Sequence, residues 1–140
     1  MPTYSREEVE AAFEKTRKAQ DANDWNAYAD CFHEDGVYVE HAFGTFRGRE
    51  KIRAWLVPIM EPCQDWTFPT EWCVIDGNRI VFKWWNRLPG RRADGSRYEF
   101  AGVSILIYGG DGKFASQEDI YNFDETRTVM REWRKDHAGG

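Results

Sequence analysis

Three glycine-bearing turns, Asp76-Gly77-Asn78, Pro89–Ser96 and Gly109–Lys113, cut the stretch from Asp65 to Asn122 into four segments rich in aromatic and β-favouring residues. Such turns join neighbouring strands as hairpins, so the segments Asp65–Ile75, Arg79–Leu88, Arg97–Tyr108 and Phe114–Asn122 read as one antiparallel run. The chain ahead of this run reads differently. Ser5 and Glu8 form a Ser-x-x-Glu capping box, and Val9, Ala12, Phe13, Thr16 and Ala19 then recur at helical spacing. Asp24 is placed to cap a second, short helix that presents Trp25, Tyr28, Ala29 and Phe32 on one side. His33–Gly36 ends that helix, with His33 expected to cap it, and a strand comes next. Gly48–Pro62 reads as a third helix with Ile52, Trp55, Leu56 and Ile59 inward, kinked or ended by Pro58. Asp124–His137 reads as a closing helix, capped by Asp124 and carrying Val129, Met130 and Trp133, and residues 136–140 read as a frayed tail.

Helices followed by hairpin-linked strands make an α+β domain. The expected architecture is a single domain, 1–140, in which a curved antiparallel β-sheet wraps around N-terminal helices to form a cone with a pocket, closed by a C-terminal helix. The chain carries seven Trp and nine Phe in 140 residues. Rings in that number fill a core and also line pockets for apolar ligands. A net charge of −5 argues against nucleic acid and an anionic membrane surface as partners. No secretory signal or membrane span is read from the sequence. Cys31, Cys63 and Cys73 have no paired spacing, so they read as reduced, buried or half-buried thiols of a cytoplasmic protein. Three histidines and three cysteines without ligand spacing predict no metal, and no cofactor is expected. Gly109–Lys113 lacks the Walker pattern and reads as a hairpin rather than a phosphate cradle.

The order of elements, with "WNAYADCFHEDGVYVEH" (25–41), "GTFRGREKIRAWL" (44–56) and "GDGKFASQEDIYN" (110–122), resembles the nuclear transport factor 2-like superfamily, also described as cystatin-like, and most closely its SnoaL-like branch. That branch includes polyketide cyclases, limonene-epoxide hydrolases and ketosteroid isomerases. The resemblance implies that Tyr38 is a pocket tyrosine. Glu40 stands where the epoxide hydrolases keep an asparagine and the isomerases their proton-shuttling aspartate, which implies a general base facing the cone. Asp119 stands where the hydrolases hold one aspartate of a charged triad. Gln117 and Tyr121 share its face by strand alternation. The other two triad positions, an arginine and an aspartate, fall on Trp84 and Asn86, so the triad is incomplete. The isomerase pattern also needs a tyrosine donor, for which Tyr28 and Tyr38 are the candidates.

Two carboxylates among Trp and Phe rings repel each other and lose hydration, and both effects raise a carboxyl pKa. A protonated acid facing an ionised base across the cavity suits proton abstraction next to a carbonyl, dehydration, cyclisation or hydrolysis. The expected function is therefore a small cofactor-free enzyme acting on an apolar oxygenated molecule such as a polyketide or steroid-like compound. Glu40 and Asp119 are the catalytic candidates, with Tyr38, His41, Trp84, Asn86, Gln117 and Tyr121 as substrate contacts. His41 alternates away from Glu40 but sits at a strand end that can turn it inward. Trp85, opposite in parity to Trp84, points to the sheet's far side and suggests a homodimer through the sheet. Two alternatives stay open: a small-molecule-binding or accessory protein without turnover, and a dimerisation module with a vestigial pocket.

Overall fold

Ser5 accepts a hydrogen bond from the backbone N–H of Glu8 and starts α1 (Arg6–Asp21), whose predicted stripe from Val9 to Ala19 is buried throughout. The chain is described over residues 3–138 in a computed structural model. Asp24 caps α2 (Trp25–Ala29) through the Ala27 N–H, and Trp25, Tyr28 and Ala29 are buried. β1 (Phe32–Glu40) begins soon after and turns through His41–Phe43 into β2 (Gly44–Arg47), a strand that the sequence reading did not separate. Gly48 lies at φ 100°, where a side chain would be strained, and opens α3 (Arg49–Met60). Pro58 sits in the last turn of α3, and a 3-10 turn, Glu61–Cys63, continues from it.

The four remaining strands are β3 (Thr70–Asp76), β4 (Arg79–Arg91), β5 (Arg97–Tyr108) and β6 (Phe114–Tyr121). They form one curved, open sheet with the first two, in the order β2-β1-β6-β5-β4-β3. All pairs are antiparallel except β1 with β6, which run parallel. β3 begins at Thr70 rather than Asp65, because Pro69 lacks a ladder donor; Thr67 makes only an isolated bridge to Arg87.

His33 does not cap α2. Its Nε2 lies 3.1 and 2.9 Å from the carbonyls of Gly109 and Gly110, tying β1 to the β5–β6 turn. The pairing there jumps from Phe32–Phe114 to Val37–Ser116, so His33–Gly36 bulges out of the ladder. That bulge sets the parity of the rest of β1: Tyr38 and Glu40 face the helices, and Val37 and Val39 face away. β5 alternates cleanly, with Tyr98, Phe100, Gly102, Ser104, Leu106 and Tyr108 turned inward. Phe13 of α1 packs on Phe82 at 5.0 Å between ring centroids, which seats the helix on this inner face.

α4 (Phe123–His137) is capped by Asn122, which accepts from the Glu125 N–H, and not by Asp124, which pairs with Arg127. The helix runs through residues 136 and 137, expected to fray. The Asp136 carboxylate accepts from the Tyr98 hydroxyl, and His137 stacks on Trp133 at 4.5 Å. The expectation for Gly139 and Gly140 lies outside the described residues. Cys31 and Cys63 are buried free thiols, and burial pushes the Cys63 thiol up to about 11; Cys73 is exposed, not half-buried as expected.

Candidate active site

A cavity of about 200 Å³ remains between the inner face of the sheet and the helices. Its polar side is made by strands, because inward positions on neighbouring strands fall side by side. β1 supplies Tyr38 and Glu40, β6 supplies Gln117, Asp119 and Tyr121, and β5 supplies Ser104. Rings and aliphatic groups from the helices and the loop before β3 form the opposite side, Trp25, Trp55, Trp66 and Met60 among them.

Glu40 and Asp119 are register partners in the parallel β1–β6 pair. They are 5% and 8% exposed, so two acids stand side by side in the protein interior. Like charges at directly paired positions destabilise a sheet, and burial adds a desolvation cost. The sequence reading allowed the two acids to meet across the cavity, but they share one side of it. That places them within reach of adjacent atoms of a single ligand.

Asp119 is the hub of a buried network. Its Oδ1 accepts from Ser104 Oγ at 2.6 Å and from Gln117 Nε2 at 2.8 Å, and its Oδ2 accepts from the Tyr38 hydroxyl at 2.5 Å. Trp84 Nε1 donates to Ser104 Oγ at 2.8 Å, and Gln117 also donates to the Tyr38 oxygen at 3.0 Å. The Tyr28 hydroxyl donates to Gln117 Oε1 at 2.7 Å. The direction of these bonds is dictated by the donors. Trp84 Nε1 has only a hydrogen to give, so the Ser104 oxygen accepts it and sends its own hydrogen to Asp119. All three bonds at Asp119 are satisfied when it is ionised. Burial nevertheless raises its carboxyl above the usual range, as does the charge of Glu40, while the three donors hold the rise back. Burial also raises the hydroxyls of Tyr28, Tyr38 and Tyr121, which keeps them as donors.

Glu40 is held less tightly. Its Oε2 accepts from the Tyr121 hydroxyl at 2.7 Å and its Oε1 from the Ala42 N–H at 2.9 Å. Asn86 lines the cavity on β4 outside this network. Trp84 lies flat against Gly102, its partner on β5: a Cβ added there would fall 2.3 Å from the indole.

Of the predicted residues, Glu40, Asp119, Tyr38, Gln117, Trp84, Asn86 and Tyr121 all line the cavity. His41 does not. Its ring is exposed and meets Glu118 at 2.7 Å outside the cavity, since the strand ends without the bend that would turn it inward. That pair also settles which of the neighbours Glu118 and Asp119 faces inward. Ser104 was missed. Its signal was present, as the only polar side chain between Phe100 and Leu106 at inward parity. Phe43 and Phe123, half-exposed and in edge contact at 6.2 Å, line the cavity where it opens and were missed as well. Among the described residues no group of three or more His, Cys, Asp or Glu could hold a metal ion, and no helix is long and apolar enough to cross a membrane.

A family profile described as "SnoaL-like domain" matches residues 9–117. No curated protein sequence matches the chain. Solved structures with this fold include TerC co-crystallised with polyporic acid, at TM-score 0.70 and 16% identity, covering 89% of this chain and 98% of that one. An LEH-like epoxide hydrolase of M. tuberculosis is similar at TM-score 0.69 and 17% identity, covering 90% and 91%. A de novo designed protein with a curved β-sheet matches at TM-score 0.68 and 14% identity, covering 94% and 99%. Identities this low carry the fold and not the activity, and the designed neighbour makes the point that this shape is attainable from very different sequences.

Proposed function

The chain belongs to the SnoaL-like domain family, and from that premise we propose that it catalyses proton transfer on a small, apolar, carbonyl-bearing molecule without a cofactor. The observation that carries this reading is the pair of adjacent buried carboxylates, Glu40 and Asp119, open to one aromatic cavity. A fold gains nothing in stability from placing two acids there, and such an arrangement suits a site that must take up a proton. A proton accepted by either member relieves their repulsion, which is what a general base requires.

In this reading Glu40, bound by one hydroxyl and one N–H, takes the proton from the carbon next to the carbonyl. Asp119, filled by three donors, stays in place as the fixed charge that makes proton uptake beside it favourable. Asn86 meets the carbonyl oxygen, and Trp84 and Tyr121 pack on the ring. The missing arginine and second aspartate of the epoxide-hydrolase triad, replaced by Trp84 and Asn86, leave that charged triad incomplete, which favours isomerisation, cyclisation or dehydration over epoxide hydrolysis. The cavity, at about 200 Å³, lies below the roughly 300–1,000 Å³ of drug-sized sites. It suits a one- or two-ring compound, or one end of a larger one emerging past Phe43 and Phe123.

The test uses 2-tetralone, a neutral two-ring ketone, in deuterated buffer. Proton NMR should record exchange at its C1 position accelerated by the protein about 10²–10⁴-fold over buffer. Equal rates with and without protein would refute the proposal and leave the non-catalytic binding reading in its place.

The sheet's outer face is the proposed site of dimerisation. It carries Val81, Val103, Ile105 and Ile107, with Val74 and Ile120 59% and 49% exposed, while the helices pack on the other side. These side chains fall next to one another across β3, β4, β5 and β6, with Arg79, Lys83 and Glu118 among them, and exposed apolar groups gathered in this way mark interaction surfaces. Light scattering on a sizing column should give twice the chain mass, and Ile105→Glu should give the monomer. A monomeric wild type at micromolar concentration would overturn this assignment.

A further inference from the structure

We infer that the cavity rejects anions and takes a ligand of charge zero or +1, and that a hydroxyl or ammonium on such a ligand is met by the open accepting positions of Glu40 and the tyrosine oxygens. This rests on the reading of the cavity as a ligand site and adds the class of ligand to it.

The first ground is charge. Two carboxylates line the cavity, and none of its lining residues is Lys, Arg or His. The cation beside the mouth, Arg127, lies over the Phe123 ring at 5.5 Å and is bonded to Asp124, so it is already paired at the helix surface. An anion entering here would give up its hydration against like charge with no cation to meet it.

The second ground is the count of hydrogens. The donors on the polar side are spent within the protein. Tyr121 donates to Glu40, Tyr38 and Ser104 to Asp119, Tyr28 to Gln117, and Trp84 to Ser104. Both hydrogens of the Gln117 amide are used as well. Accepting capacity stays open: each Glu40 oxygen takes one bond and has room for another, and the tyrosine oxygens have lone pairs. A ligand donor is therefore well met. One neutral carbonyl oxygen can be met by the Asn86 amide, and Trp55 Nε1 and Thr126 Oγ1 line the cavity without partners, but all three are neutral and none offsets the charge of a carboxylate or a phosphate. The third ground is the opposite side. Trp25, Trp55 and Trp66 line it, one face of Trp55 being stacked on Phe46, and indole rings attract a cation as well as packing on an apolar ring.

The experiment compares three compounds with the same ring system, 2-naphthol, 2-naphthylmethylammonium and 2-naphthoate, by titration calorimetry at pH 7. The alcohol and amine should both bind, and naphthoate should bind at least about thirtyfold more weakly than either. The alcohol and amine arms tell which donor head is preferred. In the double variant Glu40→Gln/Asp119→Asn the gap should close to about threefold. Naphthoate binding to the wild type as tightly as the other two overturns the inference while leaving the ligand-site reading intact. Failure of all three to bind overturns that reading and the inference with it. If the double variant does not fold, the wild-type ranking alone decides.

Discussion

Glu40→Gln is expected to lower protein-catalysed exchange at C1 of 2-tetralone by about 10²–10⁴-fold, to near the rate in buffer. Glutamine keeps the length and shape of the side chain but has no basic oxygen to take a carbon-bound proton. Its carbonyl can still accept from Ala42, and its amide can donate to the Tyr121 oxygen, so both contacts are kept, the one to Tyr121 with its direction reversed. The substitution also removes the like charge beside Asp119. Thermal stability should therefore hold or rise slightly while exchange is lost. This opposite movement separates a catalytic role from a structural one: a residue kept for folding would lose both. Exchange that survives in a well-folded Glu40→Gln protein would remove Glu40 from the mechanism.

Trp84→Ala has the largest expected effect on stability. Trp84 is 6% exposed, lies on Gly102, and its Nε1 completes the bonding of Ser104. Large-to-small changes of this kind cost about 3–5 kcal/mol, because the surroundings collapse only in part. For a chain of this size that corresponds to a fall in melting temperature of roughly 10–20 °C. The space left joins the cavity, so ligand affinity falls as well. Chemical denaturation followed by circular dichroism reads the loss directly. A change under about 1 kcal/mol would mean that the indole is not the cover for this part of the sheet. Gly102→Ala approaches the same contact from the other strand. Its new Cβ would displace the indole and break the bond to Ser104, an overpacking cost of about 1–3 kcal/mol.

Much of this site was legible because strand parity is a local property. Once Tyr38 faces inward, Glu40 must; once Asp119 does, Gln117 and Tyr121 must. The hairpin turns at Asp76–Asn78 and Gly109–Lys113 are equally local, and both are present. The parallel pairing of β1 with β6 was not legible. Glu40 and Asp119 are far apart in the chain, and nothing near either one fixes the register that makes them neighbours. The His33–Gly36 bulge sets that register, and it depends on His33 reaching the Gly109 and Gly110 carbonyls, a contact with no sequence signature. β2 was hidden for a different reason: Gly44–Arg47 is short and its side chains are largely exposed, so it has no apolar pattern to detect. His41 and Asp124 were misplaced by shifts of a residue or two at element ends, where a strand's last bend or a helix's first turn is decided by tertiary contacts. The family resemblance supplied the roles of Glu40 and Asp119. The hydrogen-bonded hub around Asp119, with Ser104 in it, came from the structure.

The proposed chemistry requires that Glu40 and Asp119, both buried, sense each other. The direct measurement is a carbon-13 NMR pH titration of the Asp119 side-chain carboxyl, in the wild type and in Glu40→Gln. Asp119 should titrate above the ordinary carboxylate range, raised first by burial and then by Glu40, and should move back down in Glu40→Gln. Because the native value is raised above the unfolded one, the folded state binds the extra proton between the two. The stabilising contribution of Asp119 is then complete below the unfolded value, about 3.9, and is lost as pH rises through the native value. An Asp119 carboxyl that titrates in the ordinary range and does not respond to Glu40→Gln would contradict the coupling of the two acids and the mechanism built on it.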